Sequence, residues 1–166
     1  MAILTKQEIL MRDVIIPHHN EFSKKDFERA RFYDVNAIVE ETMICASKFL
    51  KESKTGHHED YHDRSDCKVI GLTSKNGANS MRVEISNVES TNGTRKNGAL
   101  RVVIANVVQN RTDFLFIPKK DWINLGILIN SSNAGRIVST YHIPTDYYNK
   151  FEPYRIDSFL KLANKR

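Results

Sequence analysis

Asp66 and Lys68 stand two residues apart in SDCKVIGLT, at the start of a run rich in β-branched and aliphatic residues. Side chains alternate along an extended strand, so this spacing puts the carboxylate and the ammonium on one face of a sheet. Held side by side, such an acid can bind a divalent metal that polarises a phosphate, while the amine stabilises developing charge or positions an attacking water. That is the chemistry of phosphodiester hydrolysis. The plainer alternative is an exposed ion pair at a strand start, worth about 0 to 1 kcal/mol.

Further acids precede the pair. Glu59, Asp60 and Asp63 lie in KTGHHEDYHDRSD, which has neither helical nor alternating periodicity and reads as a loop entering the strand. His57, His58 and His62 in the same stretch offer a second chemistry, a metal-binding loop or a histidine general base. No second Cys or His cluster follows at ligand spacing, and a hydrated surface loop is the bland reading. Glu84, in MRVEIS, reaches Asp66 only if the two strands form a hairpin of suitable loop length. A two-residue Asn76-Gly77 turn would set Glu84 opposite Val69 and facing away from Asp66, and a three- or five-residue loop would reverse that.

The elements that must position these residues follow from periodicity. Thr5 with Glu8 makes a capping-box pattern before Ile9, Leu10 and Met11, which predicts a short helix interrupted at Pro17. Ser23 with Asp26 begins a stretch running to about Lys54 without Gly or Pro, read as one long helix or two abutting ones. On one continuous wheel Phe27, Arg31, Ile38, Cys45 and Phe49 share a side, with Val35 and Thr42 close by. Glu41 then falls roughly 60° from the stripe and Glu40 well away from it.

From Cys67 onward the texture becomes β-rich: CKVIGLT, SMRVEISNV, ALRVVIANVV and TDFLFIP, separated by stretches rich in Asn and Gly. The nearly continuous apolar run Leu100 to Ala105 predicts a strand covered on both faces, at the sheet centre. Lys119 to Leu125 is expected to be a short helix, RIVSTYHI a strand, and Tyr154 to Ala163 a terminal helix. The expectation is an α/β (α+β) fold: a central mixed sheet of about four or five strands, a long N-terminal helix packed on it and short C-terminal helices. One domain is expected across 1–166, with 1–22 an arm or short helix and 23–166 the α/β core.

The 166 residues carry 25 Lys and Arg against 20 Asp and Glu, a net charge of +5 that favours anionic partners. Lys75, Arg82, Arg95, Lys96 and Arg101 are candidates for contact with nucleic acid. No apolar run approaches the roughly 20 residues that cross a bilayer, and the charged N-terminus is unlike a secretory signal. Cys45 and Cys67 make neither a disulfide framework nor a paired zinc site, so a cytoplasmic location is expected, without a membrane partner.

With Asp66-Cys67-Lys68 as an acid-x-lysine element, the order of helix then β-meander over roughly residues 24 to 126 resembles the PD-(D/E)xK nuclease superfamily. Glu41 would match that family's helical acid. Either Glu59, Asp60 or Asp63 supplies the acid before Asp66, across an unusually short gap, or Asp66 comes first and Glu84 second, with Ser86 where the family has Lys. The resemblance implies a Mg²⁺- (or Mn²⁺-) dependent endonuclease of the restriction or phage kind acting on double-stranded DNA. Asp66, Lys68 and Glu84 would be catalytic, Glu41, Asp60, Asp63 and Asp66 would hold metal, and a homodimer is expected where both strands are cut. The alternatives are a non-catalytic nucleic-acid-binding or regulatory protein, and a protein-interaction module.

Overall fold

Thr5 caps the first helix as its sequence requires: its hydroxyl accepts the Glu8 N–H and the Glu8 carboxylate accepts the Thr5 N–H. Helix α1 (Lys6–Leu10) runs into a π-helical turn, Met11–Ile15, and then α2 (Ile16–His18). The chain therefore stays helical through Pro17 rather than breaking there. A proline ring clashes with the carbonyl four residues back in a regular α-helix, and here that residue, Asp13, lies in the wider π turn. Ile9, Leu10, Val14 and Ile15 are fully buried, which makes this segment part of the core and not an arm.

The computed structural model describes residues 3–53, 60–72, 81–86, 98–121, 127–133, 136–143 and 151–166, with strands 81–86, 127–133 and 136–143 described by backbone alone. Of the two readings of this stretch, one long helix or two abutting ones, the structure has two helices, and the long helix does not form. Helix α3 (Lys24–Phe32), capped reciprocally by Ser23 and Asp26, ends at Tyr33, and α4 (Val35–Ala46) starts after Asp34. The break re-phases the chain. Helix α4 buries Val35, Ile38, Val39, Thr42 and Met43, the i, i+3, i+4, i+7, i+8 stripe of a core-facing helix, while Phe27, Arg31 and Cys45 keep solvent exposure.

Among the described residues seven strands form two sheets. The first has the order β1 (Asp66–Leu72), β3 (Leu100–Asn106), β4 (Arg111–Ile117), β7 (Arg155–Ile156), and the second is β2 (Met81–Ser86), β6 (Arg136–Ile143), β5 (Ile127–Asn133). Strand β1 runs parallel to β3 with Asp66 opposite Leu100, and the remaining pairs are antiparallel. Every residue of β3 is buried, including Arg101 and Asn106, although its nearly continuous apolar run predicts burial only for the apolar residues. Its Val103 and Ala105 join Cys67, the N-terminal helices, α4 and the last helix, α5 (Phe159–Ala163), in one apolar cluster. The chain between Tyr154 and Ala163 is thus split between a strand and a shorter helix. Residues 119–121 are helical, and the rest of that expected helix lies outside the described residues.

The β1–β2 hairpin on which the Glu84 alternative depends does not form. Strand β3 takes β1 as its neighbour, and β2 joins the other sheet, where Glu84 is opposite Thr140. A strand buried on both faces needs a partner on each edge, and β1 and β4 fill those places. Among the described residues no helix is long and apolar enough to cross a membrane.

Candidate active site

Among the described strands β1 lies at the edge of its sheet, so side chains from both of its faces can meet groups that approach around that edge. The approach is made by the turn at residues 60–66. Its backbone closes on itself through Tyr61 N–H to Ser65 O (3.2 Å) and Arg64 N–H to Tyr61 O (2.9 Å), with Arg64 in the left-handed region at φ 71°. Two further bonds tie it to the chain entering β3: Gly98 N–H to Arg64 O (2.7 Å) and Asp66 N–H to Ala99 O (3.0 Å). Glycine suits position 98, because a Cβ there would lie 3.0 Å from the Arg64 carbonyl oxygen, closer than the turn accommodates without giving way by a few tenths of an ångström.

Within this frame two acids brace each other. The Asp60 N–H donates to Asp66 Oδ1 at 3.0 Å, and the Cys67 N–H donates to Asp60 Oδ2 at 2.7 Å. Asp66 is buried and Asp60 half-buried. Burial raises the Asp60 carboxyl above its usual range, against the opposing pull of the Cys67 amide and the Lys68 charge.

The third acid is Glu40. Its carboxyl is raised to about 7, first by burial and then by the negative charge of Asp60, with Asp66 and Glu41 adding and Lys68 opposing. Helix α4 is held against the turn by the Tyr61 hydroxyl, which donates to the Glu40 backbone oxygen at 3.2 Å. Burial also pushes up the Tyr61 hydroxyl and the Cys67 thiol, so both stay neutral and serve as packing. Glu40, Asp60, Asp66 and Lys68 thus share one electrostatic environment at the β1 edge.

Other expected residues stand elsewhere. Glu41, the expected helical acid, is half exposed on the opposite flank of α4, with His19 Nε2 at 3.9 Å and Arg29 at 3.8 Å. Glu40 takes its place beside β1. Measured from the centre of the α4 stripe, Glu40 and Glu41 lie on opposite sides at roughly 130° each, at about 100° per residue. A wheel drawn through the Tyr33–Asp34 break hides this symmetry.

Asp63 is bound to Arg101 at 3.0 Å and to the Ser65 hydroxyl and N–H. Burial would raise it, but the Ser65 and Arg101 hydrogen bonds hold it below the usual carboxylate range. Arg101 is 1% exposed, and its guanidinium donates to Ser65 Oγ, Asp63 Oδ2 and the Leu162 and Lys165 carbonyls. It is a structural clamp between the turn and the C-terminal helix, so no phosphate can reach it. Glu59, His57, His58, Lys75, Arg95 and Lys96 lie outside the described residues, and Arg82 is placed by backbone only, opposite His142.

Chemically, the edge of β1 combines hard oxygen donors with an ammonium. Among the described residues no three Asp, Glu, His or Cys side chains gather into a ready metal-ligand set. No family model matches the chain, and no curated protein or solved structure was found to match it.

Proposed function

We propose that the protein is a metal-dependent endonuclease that hydrolyses phosphodiester bonds in DNA, of PD-(D/E)xK-like organisation, acting in the cytoplasm. The observation that carries this reading is the reciprocal bracing of Asp60 and Asp66, with Lys68 two residues along the same strand and Glu40 beside them. An acid pair held by backbone amides is pre-oriented, and pre-orientation is what a weakly held cation needs from a protein.

The donor set suits Mg²⁺ or Mn²⁺. Magnesium keeps several of its waters and is commonly held by only one or two carboxylates plus substrate phosphate, so two acids without a third at ligand distance are sufficient. Asp60 and Asp66 would hold the ion, and Glu40, half-protonated near neutral pH, would either assist as an outer acid or accept a proton from the attacking water. When bound, the ion would polarise the scissile phosphate. Lys68 would stabilise the charge that develops on the phosphate oxygens.

The test is cleavage of plasmid and linear duplex DNA across Mg²⁺ and Mn²⁺ titrations by the wild type and by Asp60→Asn, Asp66→Asn, Lys68→Ala and Glu40→Gln. The asparagines keep an acceptor oxygen for the backbone amides while removing the charge. Cutting by Asp66→Asn should fall on the order of 100-fold, the upper end of what perturbing a metal's supporting groups brings. Cutting at the wild-type rate by both asparagine variants would overturn the assignment.

A further inference from the structure

A cleft of about 800 Å³ is lined by Phe49, Lys51, Glu52, His62, Asp63 and Arg166. Two of its walls are one ribbon. The segments 51–53 and 60–62 pair antiparallel through the Glu52–Tyr61 bridge, with His62 N–H to Lys51 O at 2.8 Å and Ser53 N–H to Asp60 O at 3.1 Å. The residue pair Lys51 and His62 at the cleft is therefore two residues of extended backbone, roughly 7 Å, from the pair Ser53 and Asp60.

Among the described side chains, the cations at the cleft outnumber the acids free to pair with them. Among the described residues neither Lys51 nor Arg166 is ion-paired with a carboxylate, while Asp63 is taken up by the buried Arg101. Among the described side chains that line the cleft, Glu52 is the acid that remains. The Arg166 guanidinium lies 4.4 Å from the centroid of the Phe49 ring, and that of Arg101 lies 5.7 Å from the same centroid. A cation–π contact orients the planar guanidinium without cancelling its charge, which leaves its donors for an anion.

From this geometry we infer that the cleft is a track for the phosphate backbone of a nucleic-acid strand, with Lys51 and Arg166 each engaging a phosphate and the ribbon leading the strand to Asp60. The destination of the strand rests on the nuclease reading, but the track does not. Arg101 contributes indirectly, by holding the Asp63 carboxylate that would otherwise compete with phosphate for Lys51 and Arg166.

The experiment is equilibrium binding of labelled single-stranded and duplex oligonucleotides in EDTA over a range of salt, for the wild type, Lys51→Ala/Arg166→Ala and the charge-keeping Lys51→Arg/Arg166→Lys. Removing one cation that neutralises a phosphate lowers the slope of log K against log salt by about 0.9 on duplex and about 0.7 on single strands. The alanine pair should bind at least about 10-fold more weakly with a slope smaller by about 1.4 to 1.8, and the charge-keeping pair should retain the slope. A slope unchanged in the alanine pair overturns the track. So does complete displacement of the oligonucleotide by inorganic pyrophosphate at equal concentration, which would mark a site for free phosphates. Wild-type binding that shows the expected slope change without any metal-dependent cutting would uphold the track and sink the nuclease reading. Cutting with a KM unaltered in the alanine pair would do the reverse.

Discussion

The Asp66 carboxylate receives the backbone N–H of Asp60, and the Asp60 carboxylate receives the N–H of the residue just beyond Asp66, at 3.0 and 2.7 Å. Each acid thereby fixes the backbone that carries the other. Asp60→Ala leaves the buried Cys67 amide without its charged acceptor and should cost about 1.5 to 3 kcal/mol in urea denaturation. Asp60→Asn, which keeps an acceptor oxygen, should cost less than half of that, and equal losses for the two variants would show that the bracing is not what stabilises the turn.

Glu40 gives the fold a pH dependence of definite sign. In the unfolded chain it titrates near 4.5, whereas in the folded protein it holds its proton to about 7. Between these values the unfolded state has lost a proton that the folded state keeps, so stability contributed by the neutral carboxyl is complete below about 4.5 and gone above about 7. Glu40→Gln should flatten that part of the stability profile and raise the melting temperature at alkaline pH relative to the wild type. A wild-type profile that is level from pH 4.5 to 7 would contradict this placement of Glu40.

Under the proposed metal-dependent reading, a divalent cation would act on the same acids. Mg²⁺ in millimolar excess should stabilise the wild type more at about pH 8, where Glu40 is ionised, than at about pH 5, where it is neutral, because a ligand that binds only the folded state shifts its stability by mass action. Calorimetric melting with and without Mg²⁺ at both pH values reads the difference. Glu41→Gln should leave it unaltered, since Glu41 faces His19 and Arg29.

Arg101→Met should destabilise the protein by about 3 to 5 kcal/mol, the usual penalty for leaving one partner of a buried charged network behind. Asp63 and the Leu162 and Lys165 carbonyls lose their donor together. Arg101→Lys should recover only part, as one ammonium cannot reproduce a fork that serves several acceptors at once. Guanidinium denaturation of the two variants measures both.

Gly98→Ala puts a methyl 3.0 Å from the Arg64 carbonyl oxygen and 3.2 Å from its carbon, which are backbone atoms pinned by the Gly98 N–H. An overpacking cost of about 1 to 3 kcal/mol is expected in the same assay. A neutral substitution would mean that the 60–66 turn shifts freely relative to β3.

Local signals in the sequence decided the capped starts of α1 and α3, the strands β1 to β4 and β6, and the burial of the apolar residues of β3, because caps, alternation and apolar runs act between near neighbours in the chain. They also decided that Asp66 and Lys68 share a face of one strand. Tertiary structure alone decided which strands pair: β3 has two edges and draws β1 and β4 to them, and so β2 with Glu84 goes to another sheet. It likewise chose Glu40 over Glu41. The two are symmetric about the apolar stripe of α4, and only the contact of one flank with Tyr61 and β1 distinguishes them. Arg101 shows the same division: its charge is plain in the sequence, whereas its burial depends on carbonyls 61 and 64 residues away, brought within reach when the C-terminal helix packs on the sheet.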